Sequence, residues 1–194
     1  MADNKNLQGM RVAILATDGV EHVELREPRK ALDAAGATTT LFAPKAGKII
    51  SMNHMDKADN FDVDSTLEEA DASQFDAVLL PGGALNADTL RVHPRAQQFV
   101  RDMDEAGKPL AVICHAPWLL VSAGLVRGRT LTGYHTIQDD IRNAGGKWQD
   151  AEVVRDKNWV TSRQPSDLPA FNRVLIELFA EHRETMAERT RRVA

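Results

Sequence analysis

The 194-residue sequence has a single cysteine, Cys114, so no internal disulfide can form. One free thiol suits a reducing compartment and leads us to expect a cytoplasmic protein. No apolar run reaches about 18 residues, the length that spans a bilayer, so no membrane partner is expected. The polar start, Met1 to Gly9, lacks the apolar stretch of a signal peptide. There is no basic excess: the formal net charge is −4 with both signs interspersed, so no nucleic-acid partner is expected. G-x-G-x-x-G and P-loop patterns are missing. The six histidines (22, 54, 93, 115, 135 and 182) show no zinc-site spacing with one cysteine, so no metal is expected. Repeats, low-complexity segments and an interdomain linker are missing too.

What is present reads as one soluble α/β domain with its core over about residues 10–181. Arg11 to Ala16 is a short apolar run that suits a buried strand. After a turn at Asp18-Gly19, about Val23 to Ala35 reads as a helix ended by Gly36. Thr38 to Ala43 reads as a second strand, which completes a β-α-β unit of a parallel sheet. Lys48 to Met52 suits one arm of a hairpin, and Phe61 to Asp64 alternates like a strand. Ala77 to Leu80 is a buried strand running into Pro81-Gly82-Gly83. A helix opens at His93-Pro94 and runs to about Ala106. Leu110 to Ile113 is the next buried strand, followed at once by Cys114 and a helix over Ala116 to Ala123. Further on, Ile137 to Ala144 reads as a helix, and Val153-Val154 with Trp159 to Thr161 as a hairpin. Leu168 to about Glu184 is a closing helix with a charged tail expected to fray.

Parallel sheets place functional loops at the carboxyl ends of their strands. Thr17 to Glu24, Pro81 to Asp88 and Cys114 to Pro117 sit at such ends, and share one rim if their strands are neighbours. Cys114 in a strand-turn-helix position has two readings: a thiolate favoured by a helix N-terminus, or a small buried apolar residue. His115 is a candidate base or a hydrogen-bonded structural residue. Glu24 beside a thiolate would raise the thiol pKa if ionised, so it helps the chemistry only when protonated. Otherwise Glu21 and Glu24 complement the helix dipole. Gly83 permits positive φ, and its N–H, with one near His115, could hold an oxyanion.

Val112-Ile113-Cys114-His115-Ala116-Pro117-Trp118-Leu119-Leu120 resembles the nucleophile elbow of the ThiJ/PfpI superfamily, in its PfpI-like branch. Matching pieces lie around it: Val20-Glu21-His22-Val23-Glu24-Leu25, Leu80-Pro81-Gly82-Gly83, Gly107-Lys108-Pro109 and Asn143-Ala144-Gly145-Gly146. The segment from Val160 to Pro169 matches as well. The resemblance spans about Met10 to Glu181. It implies a flavodoxin-like three-layer sandwich, a mainly parallel sheet with helices on both faces. It also implies Cys114 as nucleophile, His115 as its catalytic partner, Glu24 as the acid that hydrogen-bonds the cysteine, Gly83 as an oxyanion donor and Tyr134 near the pocket. PfpI-like members form homodimers or homohexamers in which a neighbouring subunit can supply an acid. By position that acid is Asp88, where some members carry glutamate. Ala116 replaces a glycine common after the histidine.

The resemblance implies a stress-response cysteine enzyme without a cofactor. It would act on small reactive aldehydes as a glutathione-independent glyoxalase, or on glycated protein as a deglycase. The alternatives are an intracellular cysteine peptidase acting on short peptides, and a redox sensor or chaperone that uses oxidation of Cys114.

Overall fold

The computed structural model describes residues 6–193. Met1 to Lys5, part of the polar start, and Ala194 lie outside the described residues. In chain order come β1 (Arg11–Leu15), β2 (Val20–Glu21), α1 (His22–Ala34), β3 (Thr38–Ala43), β4 (Lys48–Asn53), β5 (Asp56–Asp62), β6 (Ser65–Thr66) and β7 (Ala77–Leu80). Then follow α2 (Ala84–Arg91), α3 (Pro94–Glu105), β8 (Leu110–Ile113), α4 (Pro117–Ser122), β9 (Thr130–Leu131) and α5 (Gln138–Asn143). The chain closes with β10 (Lys147–Trp148), β11 (Val153–Asp156), β12 (Trp159–Ser162) and α6 (Leu168–Val193).

Seven strands form the main sheet in the order β11-β12-β8-β7-β1-β3-β6. All its pairs are parallel except the β11–β12 hairpin. The central strands are apolar on both faces, as burial between two helical layers requires. Ala13 and Leu15 of β1 pack with Phe99, Val100 and Met103 of α3 and with Leu119 and Leu120 of α4. Their neighbours Val12 and Ile14 pack on the opposite face, with Leu25 and Leu32 of α1 and Phe171, Leu175 and Phe179 of α6. The fold is therefore the flavodoxin-like three-layer sandwich.

β1, β7 and β8 are consecutive in the sheet, so their carboxyl ends share a rim. The helices leaving β1 and β7 cross to opposite faces, which opens a crevice at that rim. A smaller sheet, β2-β4-β5, stands beside it and projects the β4–β5 hairpin over the crevice.

Three local expectations change. The segment after Pro81-Gly82-Gly83 is no loop: α2 starts at Ala84, so Asp88 lies on a helix. Asn86 fixes that helix. It is fully buried, accepts the Thr17 N–H at 2.8 Å, and donates to the carbonyls of Pro81 and Gly82 at 3.0 and 2.9 Å. Strand β5 ends at Asp62, because the Val63 and Asp64 amides leave it for the carbonyls of Gly47 and Leu41. Helix α6 continues to Val193 rather than fraying after Glu184, in line with the Glu, Arg, Met and Ala of its last turns.

Candidate active site

Cys114 follows the last residue of β8 and precedes α4 by three positions. Its φ is 63°, a left-handed conformation that a residue with a side chain enters rarely. The backbone is held there from both sides. Its N–H donates to the Ser162 carbonyl at 3.0 Å, and its carbonyl accepts the Tyr134 N–H at 2.7 Å. This geometry turns the side chain out of the strand and toward the crevice. The Cys114 residue is nevertheless 6% exposed, because the crevice walls close around it.

Those walls approach through glycine. A Cβ on Gly82 would lie 2.4 Å from Glu24 Oε2 and 2.5 Å from Cys114 Cβ. Gly82 is thus the spacer that lets the acid and the thiol meet. Glu24, in the first turn of α1, is fully buried, and its Oε2 accepts the Gly82 N–H at 3.0 Å. Its Oε1 has no partner at ordinary hydrogen-bond geometry. The Cys114 side chain and this carboxyl interact, and each is among the causes of the other's pKa shift. The backbone N–H groups of Gly83 and His115 converge on the Cys114 sulfur.

His115 Nδ1 lies 3.2 Å from Cys114 Sγ, and Nε2 lies 3.4 Å from Thr136 Oγ1. Its ring stacks on Tyr134 with centroids 4.7 Å apart and meets Trp118 edge-on at 5.4 Å. Two aromatic neighbours therefore fix the imidazole plane. A cavity of about 530 Å³ opens over the thiol, bordered by Glu24, Gly83, His115 and Tyr134. That size falls in the ordinary range for small-molecule sites. Asp88 is exposed on α2 and is not among the residues lining the cavity.

The titrations favour a neutral resting site. Burial, then the charge of Glu21, raises the Glu24 pKa to about 8, so this carboxyl is mostly protonated at neutral pH. Burial, then the charge of neighbouring His135, lowers the His115 pKa and leaves a neutral imidazole that can accept a proton. For Cys114 the expectation of a helix-favoured thiolate is reversed. Burial comes first and any charge on Glu24 second, and together they push the thiol well above its ordinary range. The Gly83 and His115 N–H groups pull the other way but do not prevail. The thiol must therefore lose its proton as it reacts, and His115 Nδ1 is near enough to take it.

The chain that carries this site has relatives among known proteins. Residues 10–178 match the DJ-1/PfpI family. The chain belongs to that family. A deglycase of Thermococcus kodakarensis is 41% identical over 169 residues, 87% of this chain and 99% of its own. Protein/nucleic acid deglycase 2 of Escherichia coli is also 41% identical over 169 residues, 87% of this chain and 96% of its own. Among solved structures, a two-domain Anabaena variabilis protein with DJ-1/ThiJ/PfpI-like and ferritin-like domains superposes with a TM-score of 0.81 at 35% identity. The match covers 87% of this chain and 47% of that longer one.

The cavity of this DJ-1/PfpI chain also takes in residues that the sequence did not single out as site residues. His54 and Met55 reach it from the tip of the β4–β5 hairpin. Gln164, Pro165 and Ser166 close it from the loop before α6. Glu21 borders it as well, three positions before Glu24. Glu21 ends β2 one position ahead of α1, so the entry into the helix brings both carboxylates to one cavity.

Proposed function

We propose that this protein is a cytoplasmic, cofactor-independent enzyme that uses Cys114 to act on small reactive carbonyls, as a glyoxalase or deglycase. The observation that carries this reading is the elbow, a strained thiol facing a buried protonated acid and two backbone donors. The thiol adds to an aldehyde carbon while His115 Nδ1 takes its proton and passes it to the former carbonyl oxygen, giving a hemithioacetal. The N–H groups of Gly83 and His115 meet the oxygen that gains charge. With methylglyoxal, Glu24 or His115 then moves a proton between the two adjacent carbons, giving a thioester. Water hydrolyses it to lactate and returns the thiol. Glycated groups on protein would offer the same carbon to the same thiol. The two relatives named deglycases support this reading. Tyr134 holds the His115 ring in place.

Purified protein is expected to convert methylglyoxal to lactate in buffer free of amines and thiols, and Cys114→Ser to do no better than buffer alone. Equal consumption by the two would sink the reading. Glu24 has its own test. Glu24→Gln keeps a donor beside the sulfur and Glu24→Leu removes it. Iodoacetamide should alkylate Cys114 in Glu24→Gln about tenfold faster than in Glu24→Leu, the worth of one hydrogen bond to a charged group. Matching rates would remove Glu24 from that role.

The close approach of Cys114 Sγ and His115 Nδ1 favours a second reading, a peptidase for short peptides. It needs an acid to orient His115. Asp88 is exposed on α2, so it serves only from a neighbouring copy in a homodimer or homohexamer. Peptide release by freshly purified protein, lost in Cys114→Ala and Asp88→Ala, would favour this reading over the first.

A further inference from the structure

The cavity holds a second carboxylate, and nothing among the described residues completes it. Glu21 ends β2 and is 8% exposed. It directly precedes α1, yet its side chain makes no capping bond to that helix. Its Oε2 accepts the His54 N–H at 3.1 Å. Its Oε1 is buried and has no partner among the described residues. A buried carboxylate oxygen without a donor is costly, so a persistent one invites a donor from outside. The wall it belongs to is acidic: Glu21 and Glu24 both line the cavity, and no lysine or arginine does. Glu24 is mostly protonated at neutral pH, and the neighbouring Glu21 is the second cause of that shift.

We propose that Glu21 forms a subsite for a cationic nitrogen carried by the substrate, an ammonium or a guanidinium seated beside the carbon that Cys114 attacks. This rests on the reading of Cys114 as the group that meets substrate. The last torsion of a glutamate is soft, so the carboxylate can turn Oε1 to a donor without a backbone shift. A cation there gains both a hydrogen bond and an opposite charge in a site shielded from water. A neutral aldehyde has no use for this subsite. Anionic substrates, sugar phosphates among them, are repelled by it. The inference therefore places peptides and proteins bearing lysine, arginine or a free amino terminus above neutral or anionic compounds of equal size.

Binding can be read without turnover, from protection of Cys114 against iodoacetamide by unreactive amides. N-acetyl-lysine amide is compared with N-acetyl-norleucine amide, and alanine amide with N-acetyl-alanine amide. The first pair probes a side-chain cation and the second an amino terminus. In at least one pair the cation is expected to protect at about fivefold lower concentration, the effect of one modest ion pair. Glu21→Gln, which keeps an oxygen for the His54 N–H, is expected to erase that difference. Equal protection within both pairs, or a difference that survives Glu21→Gln, overturns the proposal. If Glu21→Gln does not fold, the wild-type pairs decide it alone. A protein that shows the cation preference but consumes no methylglyoxal would refute the reaction assigned above and leave this subsite standing.

Discussion

Gly83→Ala is expected to lower stability by about 4 kcal/mol and to eliminate turnover, the largest effect we foresee for any single methyl group in this protein. Two costs combine. The first is conformational: φ at Gly83 is +90°, where a Cβ is poorly tolerated. The second is steric. The added Cβ would lie 2.3 Å from the Gly19 carbonyl oxygen and 2.6 Å from the Glu21 nitrogen. Both are backbone atoms, so no flexible side chain can swing aside. Both are also tethered, since the Gly19 N–H donates to the Ile50 carbonyl at 2.8 Å and the Glu21 N–H to the Gly82 carbonyl at 3.3 Å. Relief would have to pull the β7–α2 turn from the β1–α1 turn, which moves the Gly83 N–H off the sulfur. Gly9→Ala is the control, with φ +85° and nothing within 4 Å of its Cβ. It carries the conformational cost alone, about 1 kcal/mol. For a chain of this size the two variants should melt about 6 to 12 °C apart. Similar melting temperatures would mean that the two turns are not locked together.

The second large effect is on pH. Glu24 titrates near 8 in the folded protein instead of its ordinary 4.5. Between those values the folded state keeps a proton that the unfolded state has released. Stability linked to this group is therefore fully present below pH 4.5 and is lost as pH rises through 8. A shift of this size corresponds to about 3 to 5 kcal/mol over that window. Glu24→Gln cannot ionise and lacks this slope. In urea unfolding at pH 5, 7 and 9, Glu24→Gln should gain on the wild type at each step and be the more stable protein at pH 9. Parallel stability curves would show that Glu24 ionises in the folded protein as freely as in the unfolded chain.

Much of this was legible before any coordinates. β1, β3, β7 and β8 are short runs, apolar or β-branched apart from Arg11, bounded by turns, and each stands where the residues put it. The rim holding Cys114, Glu24 and Gly83 followed from strand ends alone, once those strands proved to be neighbours. Helix α2 was missed because its first turn depends on Asn86. Local preference favours that residue in turns and caps, but here it is pinned by one long-range hydrogen bond from Thr17 and two local ones to Pro81 and Gly82. His54 and Met55 were illegible for a related reason: they reach the cavity through the β2-β4-β5 sheet, a tertiary arrangement with no local period. The helix N-terminus, a buried setting and a nearby Glu24 pull the thiol in opposite directions, and which prevails depends on burial, which the sequence does not give. Glu24, by contrast, was expected to be useful only when protonated, and its titration near 8 agrees with that condition.

At position 114 the backbone has a φ of 63° and is fastened by hydrogen bonds to the strand end at Ser162 and to Tyr134. Selection for folding alone would fill such a place with glycine, which adopts that conformation at no steric cost. The sequence keeps a side chain there and forgoes about 1 kcal/mol of stability in doing so. Cys114→Gly should therefore give a protein that outlasts its parent on heating. A random library screened for thermal survival would tend to drift toward glycine at 114, discarding the thiol before it loses the fold.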